Sequence, residues 1–421
     1  MSVATIESHP ALLAPFGILL ASIAIFPLIL QHHWERHYAK LCAGLAAITC
    51  GYYVLRLHAA DRVMHATGEF ASFIVVIGAL FVVAGGIHLH IPRPSSPLTN
   101  ALLLLGGSVL ATLIGTIAAS TLLIRPWLHM NRSRFQPMHL AFFIFTVSNL
   151  GGLLLPTGPP LILGYLKGIP FLWTALHCWQ QWLVAMSGLL LIFIPLDLVS
   201  WRRTAHDSAP SGESHFLCRG KWNFIVLLAL LLVIVFIPSG FRELVLIALA
   251  AISYFLTPRR IFEANGFRWE PLFEVGWIFL GIFGTMIPVL DYVELHAGDF
   301  NLSTSAEFYW STGILSGGLD NAPTYLTFLT LALSLDHLDI NNARAVALFA
   351  ATQSHRLASI SVAATLFGGL TYIGNSPNLL VRAIAQSRDS PCPGFLSYIV
   401  KYAVPILLPV LGLMALVSFR R

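Results

Sequence analysis

Four interruptions in otherwise apolar sequence hold the residues that could do chemistry. The chain breaks near Gly115-Thr116 and across Gly317-Gly318-Leu319-Asp320-Asn321-Ala322-Pro323-Thr324, inside apolar stretches at about 99–124 and about 305–334. It breaks again at Pro156-Thr157-Gly158-Pro159-Pro160 and at Thr371-Tyr372-Ile373-Gly374-Asn375-Ser376-Pro377-Asn378. Glycine and proline free backbone groups from the helical ladder; freed carbonyls can coordinate a cation, and helix N-termini attract anions. Asn149, Asn321, Asn375 and Asn378 could add amide oxygens, which suit a hard cation such as sodium. Packing and helix kinks are the plain alternative for the glycines and prolines.

Asp320 is the sharpest single residue. An ionised carboxylate in an apolar hairpin costs roughly 2.5–3.5 kcal/mol on an insertion scale, so it must be paired, hydrated, ion-bound or protonated. A group that alternates between proton and cation is what an antiporter needs. The same carboxylate also reads as a cap for a helix beginning at Ala322-Pro323, and the two roles are compatible. Asp197, Glu274 and Asp291 fall near predicted helix ends and read as interfacial. His177, His355 and Arg356 read as terminal or paired. His32, His33 and His37, beside Glu35, read as a solvated basic loop, with metal binding the alternative.

The elements that would position these residues are spanning helices. Only 10% of the 421 residues are charged and 57% are hydrophobic, against roughly 25% charged in a soluble domain. Too few charges remain to cover a water-soluble surface, whereas a bilayer accepts apolar side chains. Runs able to span lie at about 12–31, 41–57, 70–91, 138–157, 177–200, 223–238, 243–257, 272–292, 345–372 and 396–419. The two glycine-broken stretches fit better as re-entrant hairpins, with an irregular spanning helix as the alternative. The expected fold is thus all-α and polytopic, with about ten transmembrane helices, two re-entrant hairpins and two broken helices. No cleavable signal peptide is evident. The five cysteines, Cys42, Cys50, Cys178, Cys218 and Cys392, form no CxxC pair and read as buried thiols. The net charge of +5 sits in short loops and reports topology rather than nucleic-acid binding.

Basic residues cluster in alternate loops: Arg36 and Lys40; Arg93, Arg125, Arg132 and Arg134; Arg202, Arg203, Arg219 and Lys221; Arg259, Arg260 and Arg268. These loops fall on one side, taken as cytoplasmic, with both termini outside and Arg62 and Arg242 opposite. Under that topology the two halves look like inverted repeats. "NLGGLLLPTGPPLILGYLKGIPFL" from Asn149 and "LFGGLTYIGNSPNLLVRAIAQ" from Leu366 both read Gly-Gly-Leu, a Pro/Gly stretch, then an apolar run. Inverted repeats with discontinuous helices mark secondary transporters. The expected division is N-terminal helices at 1–69, a first repeat at 70–200, a cytoplasmic linker at 201–222, connecting helices at 223–271 and a second repeat at 272–421.

These residues resemble the ion transporter superfamily, which includes sodium/proton antiporters, citrate and dicarboxylate transporters and arsenite pumps. "GGLTYIGNSPNLLV" resembles its broken-helix motif, "LSGGLDNAPTYLTF" its second hairpin tip, and "VSNLGGLLLPTGPPLILG" its first-half broken helix. The nearest branch is the citrate-transporter-like, sodium:proton antiporter group of bacterial proteins, and the resemblance runs from about residue 70 onward. It implies a second-half site at Asp320, Asn321, Thr324, Gly374, Asn375 and Asn378, with Asp320, Asn321 and Asn375 as candidate sodium ligands. It implies a first-half site at Gly115, Thr116, Asn149, Gly152, Thr157 and Gly158. It also implies a bacterial inner-membrane location and a homodimer. One departure matters. Relatives often read Pro-x-Gly-Asp-Pro-Pro, but here Gly158 runs directly into Pro159-Pro160, so the first half lacks that carboxylate.

The first functional expectation is sodium (cation)/proton antiport by alternating access. Dicarboxylate members resemble one another in neutral Ser-Asn-Thr tips, whereas Asp320 would repel an anion and attract a cation. The alternative is sodium-coupled transport of citrate or another organic anion. Sodium and a proton are the expected coupled species, with no other cofactor. The expected partners are a small ion or organic acid and the lipid bilayer, not nucleic acid. Enzyme motifs such as GxSxG with a matched histidine or HExxH do not occur.

Overall fold

A bilayer offers backbone groups no water, so a chain this apolar must satisfy them within helices. The computed structural model describes residues 10–29, 31–90, 95–204 and 217–419, and apart from one short two-stranded ribbon their regular structure is helical. Among the described residues six helices are long and apolar enough to cross a membrane: Arg36–Leu55, Ala60–Gly85, Pro97–Ile114, Trp173–Arg203, Glu270–Leu295 and Phe395–Ser418. Arg93 and residues 205–216 of the expected linker lie outside the described residues. The ribbon pairs His88–His90 with Leu217–Arg219 and ties the start of the second half to the loop before the first hairpin.

One group of helices forms a frame: α1 (Ala14–Ile29), α2 (Gln31–Leu55), α3 (Ala60–Gly85), α9 (Trp222–Phe236), α10 (Phe241–Leu256) and α12 (Glu270–Leu295), with the short α11 (Arg259–Ala264) between the last two. Contacts within it alternate between halves, since α2 packs on α12 and α10 packs on α3. Small residues make the first contact close. A Cβ at Gly284 would lie 2.6 Å from that of Ala46, and one at Gly281 3.0 Å from that of Cys42; this is how membrane helices associate without a hydrophobic driving force. Phe73 of α3 stacks on Phe279 of α12 at 4.3 Å. The expected basic loop at His32, His33 and His37 is instead the first turns of α2, whose helix starts at Gln31. His37 Nδ1 lies 3.0 Å from the His33 carbonyl, a contact along one helix face. All five cysteines are free.

The remaining elements carry the interruptions. α4 (Pro97–Ile114) starts on a Ser96–Thr99 capping box with proline in its first turn and meets α5 (Thr116–Met130) at Gly115. α13 (Ser305–Gly318) starts on a Thr304–Glu307 box and meets α14 (Asn321–Leu335) through Leu319-Asp320. In each pair the two arms pack on each other, so both glycine-broken stretches are helical hairpins. The expected run at 138–157 divides into α6 (Pro137–Phe143), a π-helical stretch Ile144–Asn149 and a 3-10 turn Leu150–Gly152; α7 (Pro159–Lys167) follows. The run at 345–372 divides at Gln353 into α15 (Ala343–Thr352) and α16 (Ser354–Phe367), then the 3-10 turn Gly368–Leu370, before α17 (Ser376–Gln386). α8 (Trp173–Thr204) is continuous. The last run divides into α18 (Phe395–Tyr398), a π stretch Ile399–Leu407 with Pro405 inside it, and α19 (Leu408–Ser418); proline has no N–H to give the ladder, and a widened turn accommodates it.

The halves interlock. The second arm of each hairpin packs on the second piece of the other half's broken helix, α5 on α17 and α14 on α7. Each of these arms also leans on a frame helix, α5 on α3 and α14 on α12. Asp197 and Asp291 are not exposed at their helix ends but buried and paired. Asp197 is fully buried and binds Arg134, His139 Nε2 at 2.9 Å and Asn100 Nδ2 at 2.9 Å. Asp291 is buried between Arg62 Nη1 at 2.5 Å and the Tyr53 hydroxyl at 2.7 Å. A carboxylate removed from water needs such partners.

Candidate functional site

The second hairpin tip and the second broken helix meet through backbone. The Asn321 amide donates to the Gly374 carbonyl at 3.1 Å, and the Thr371 hydroxyl donates to the Gly317 carbonyl at 2.8 Å. Gly374 is there because nothing larger fits: a Cβ would lie 2.7 Å from the Gly368 carbonyl oxygen and 2.8 Å from that of Ser316. Asp320 caps α14. Its Oδ1 accepts from the Ala322 amide at 3.0 Å, and its Oδ2 takes a long 3.4 Å contact from the Ser376 hydroxyl. Thr324 closes the turn by donating its hydroxyl to the Asp320 carbonyl at 2.9 Å.

The two broken helices cross at three asparagines. Asn149 Nδ2 donates to Asn378 Oδ1 at 3.0 Å, and Asn375 Nδ2 donates to Asn149 Oδ1 at 3.0 Å and to the Ser148 carbonyl at 2.8 Å. Asn378 Nδ2 donates to the Gly368 and Thr371 carbonyls at 2.8 and 2.9 Å. Asn149 therefore joins the second-half cluster across the molecular midline. Both amide atoms of Asn321, and Asn375 Oδ1, are buried with no hydrogen-bond partner. Buried polar groups seldom stay unpaired. Two orphaned amide oxygens near a carboxylate whose Oδ2 is barely engaged form a donor set that fits a hard cation. Among the described residues no three His, Cys, Asp or Glu side chains converge as metal ligands, so a cation held here would draw on amide, carboxylate and backbone oxygens.

The first-half residues gather around their own turn. Gly115 has φ +84°, a left-handed conformation that favours glycine, and a Cβ there would lie 2.5 Å from the Thr157 carbonyl oxygen. The Thr157 hydroxyl donates to the Thr112 carbonyl at 2.8 Å. Gly152 and Gly158 pack against Thr116, whose buried hydroxyl has no partner. A slight cleft of about 10 Å³ reaches Gly115 and Thr157. With no carboxylate and little room, this half is a tightly closed counterpart of the other.

A cavity of about 430 Å³ lies over the second-half site. Asp320, Ser376 and Arg382 line it, with Glu274 of α12, and Ile117 brings the first hairpin to the same wall. Of the residues expected from sequence, Asp320 alone lines this cavity; Asn321, Thr324, Asn375 and Asn378 are buried. Arg382, Gln386, Ser376 and Glu274 were not among the expected site residues. Arg382 had a readable signal, a charge inside the apolar run that follows the broken-helix motif.

A second cavity of about 220 Å³ adjoins Asp291 and Glu294 at the far end of α12. Along that helix Ile278 of the first cavity and Ile287 of the second are about 14 Å apart, so the two cavities open toward opposite ends of α12. Ion pairs cross the second one. Lys167 Nζ of α7 lies 2.7 Å from Glu69 Oε1 of α3 and donates to Asn341 Oδ1 at 2.9 Å, while Arg62 meets Asp291.

Among curated proteins none matches this sequence. A family model described as "Putative citrate transport" matches residues 6–419. That match takes in the frame, both hairpins, both broken helices and the cavity between them, and the chain belongs to this family, an all-α integral membrane transporter group.

Proposed function

We propose that the protein is a secondary active transporter of a small organic acid of the citrate type, coupled to a cation held beside Asp320. The carrying observation is the cavity over the crossing of two interrupted helices, with Asp320 in its wall and orphaned Asn321 and Asn375 oxygens behind it. A cation there would lower the cost of the buried carboxylate, so its binding and the hairpin tip's position are linked. Cavity size supports a second, larger passenger. A volume of about 430 Å³ equals roughly fourteen water volumes of ~30 Å³, far more than one ion requires, and it falls in the range of small-molecule sites. The family description supports the same choice.

The large cavity adjoins the N-terminal third of α12, the end that shares a side with Arg259, Arg260 and Arg268. The positive-inside rule makes that side cytoplasmic, so this conformation faces inward, with the Glu69–Lys167 and Arg62–Asp291 pairs across the outer path. The contact pattern in which each half's hairpin packs on the other's broken helix supports two inverted repeats.

Cation/proton antiport is the second reading, favoured by Asp320, which could exchange a proton for a cation without any organic acid. Proteoliposomes distinguish the two. Sodium-dependent accumulation of labelled citrate, lost in Asp320→Asn, supports the first. A sodium-driven pH change in the absence of organic acid, with no citrate uptake, supports the second and refutes the first.

A further inference from the structure

Arg382 occupies a position that neither a cation site nor the fold requires. Its guanidinium lies over the Tyr372 ring, 4.7 Å from the centroid. That ring is itself fixed, fully buried, with its hydroxyl donating to the Pro393 carbonyl at 3.1 Å and its face 4.3 Å from Tyr398. The guanidinium is therefore held in place before anything binds. Arg382 Nε has no hydrogen-bond partner, and among the described residues no carboxylate lies within ion-pairing distance of Arg382. The other arginine and the lysine that line the two cavities do have such partners, Arg62 with Asp291 and Lys167 with Glu69. Gln386, one turn further along α17, lines the same wall.

We infer that Arg382, with Gln386 beside it, anchors one carboxylate of a di- or tricarboxylate in the large cavity, while the rest of the molecule reaches toward Ser376. This rests on the organic-acid reading above and names the group that would recognise the acid. A planar guanidinium with a free fork matches a carboxylate in two parallel hydrogen bonds. Stacking on Tyr372 fixes the plane of that fork and lowers the ordering cost of binding. The helix sets the length. Ser376 and Arg382 are six residues apart on α17, about 9 Å of rise, so an acid that engages both ends needs carboxylates several ångströms apart. A monocarboxylate reaches one end only. The spacing keeps the carboxylate at Arg382 away from Asp320, while the one at Ser376 lies beside it, since the Ser376 hydroxyl contacts Asp320 Oδ2 at 3.4 Å, and binds there only when a cation offsets the Asp320 charge.

The test uses the purified full-length protein with citrate, succinate and acetate as probes, read as thermal shift and as uptake into proteoliposomes. Citrate and succinate should stabilise the wild type more than acetate does. Arg382→Gln should raise the apparent citrate KM by about 10- to 100-fold with a smaller change in kcat, and Arg382→Lys should lie between. Sodium should still shift the melting temperature of Arg382→Gln. Gln386→Glu puts a carboxylate one turn from the guanidinium at an exposed position; it should weaken citrate binding in the same direction, and it provides the test if Arg382→Gln does not fold. Equal citrate affinity in wild type, Arg382→Gln and Gln386→Glu overturns the anchor and leaves organic-acid transport standing. No response of the wild type to citrate or succinate overturns both.

Discussion

Asn149→Asp should damage this protein more than Asn149→Ala does, although aspartate has the wild-type side chain's shape. Asn378 Nδ2 faces two carbonyls, Gly368 and Thr371, which fixes its orientation and turns its Oδ1 toward Asn149. Asn149 Nδ2 then meets two acceptors, Asn378 Oδ1 at 3.0 Å and the Ile144 carbonyl at 2.8 Å. Alanine leaves Asn378 Oδ1 as an orphaned buried acceptor, at about 1–3 kcal/mol; Asn375 Nδ2 keeps the Ser148 carbonyl. Aspartate puts a second oxygen against both acceptors in a fully buried place, adding repulsion to the desolvation of a charge. A melting temperature falls by about 1–2 °C per kcal/mol in a chain of this size, extending the trend of smaller domains. The alanine variant should therefore lose about 1–6 °C in detergent and the aspartate variant more, with citrate uptake falling in the same order. Asn149→Asp as stable as wild type would mean that the three-asparagine crossing is not formed as described.

Other substitutions test separate joints. Asp197→Asn strips the buried Arg134 of its counter-charge and should cost about 3–5 kcal/mol, whereas the pair Arg134→Met with Asp197→Leu should recover only part of that loss, because His139 Nε2 and Asn100 Nδ2 lose the same acceptor; both are read by thermal unfolding. Gly115→Ala must hold a left-handed backbone and push against the Thr157 carbonyl 2.5 Å away; it should cost several kcal/mol, about 1–2 from the backbone and the rest from overlap. Glu69→Gln removes the ion pair that ties α7 to α3. A cysteine at Ala66, in the second cavity, should then react faster with a membrane-impermeant maleimide, and an unchanged rate would show that the Lys167 pair does not close that path.

The all-helical class was legible from composition and pattern: with so few charges there is no water-soluble alternative, and long continuous apolar runs, rather than short alternating ones, leave helices as the spanning element. The interruptions were legible for an equally local reason. Gly115, Gly374 and the Pro159-Pro160 and Ser376-Pro377 starts impose their conformations on their own neighbours, so both hairpins and both broken helices appear where those residues stand. The cap at Asp320 is local too, a carboxylate two residues before the amide it accepts from. Local signals failed where a helix tolerates polar residues, as at His32, His33 and His37, which continue α2.

Tertiary structure alone decided the partners. Nothing near Asp197 or Asp291 in the chain announces Arg134 or Arg62, because those pairs cross between elements 63 and 229 positions apart. The alliance of Asn149 with Asn375 and Asn378, across 226 and 229 positions, is set by where two separate breaks come to cross. So is the unpaired guanidinium of Arg382 in a cavity walled by α12 and both hairpins. A side chain's type is written in the sequence, but whether it is satisfied, orphaned or turned into a cavity depends on which distant surface packs against it.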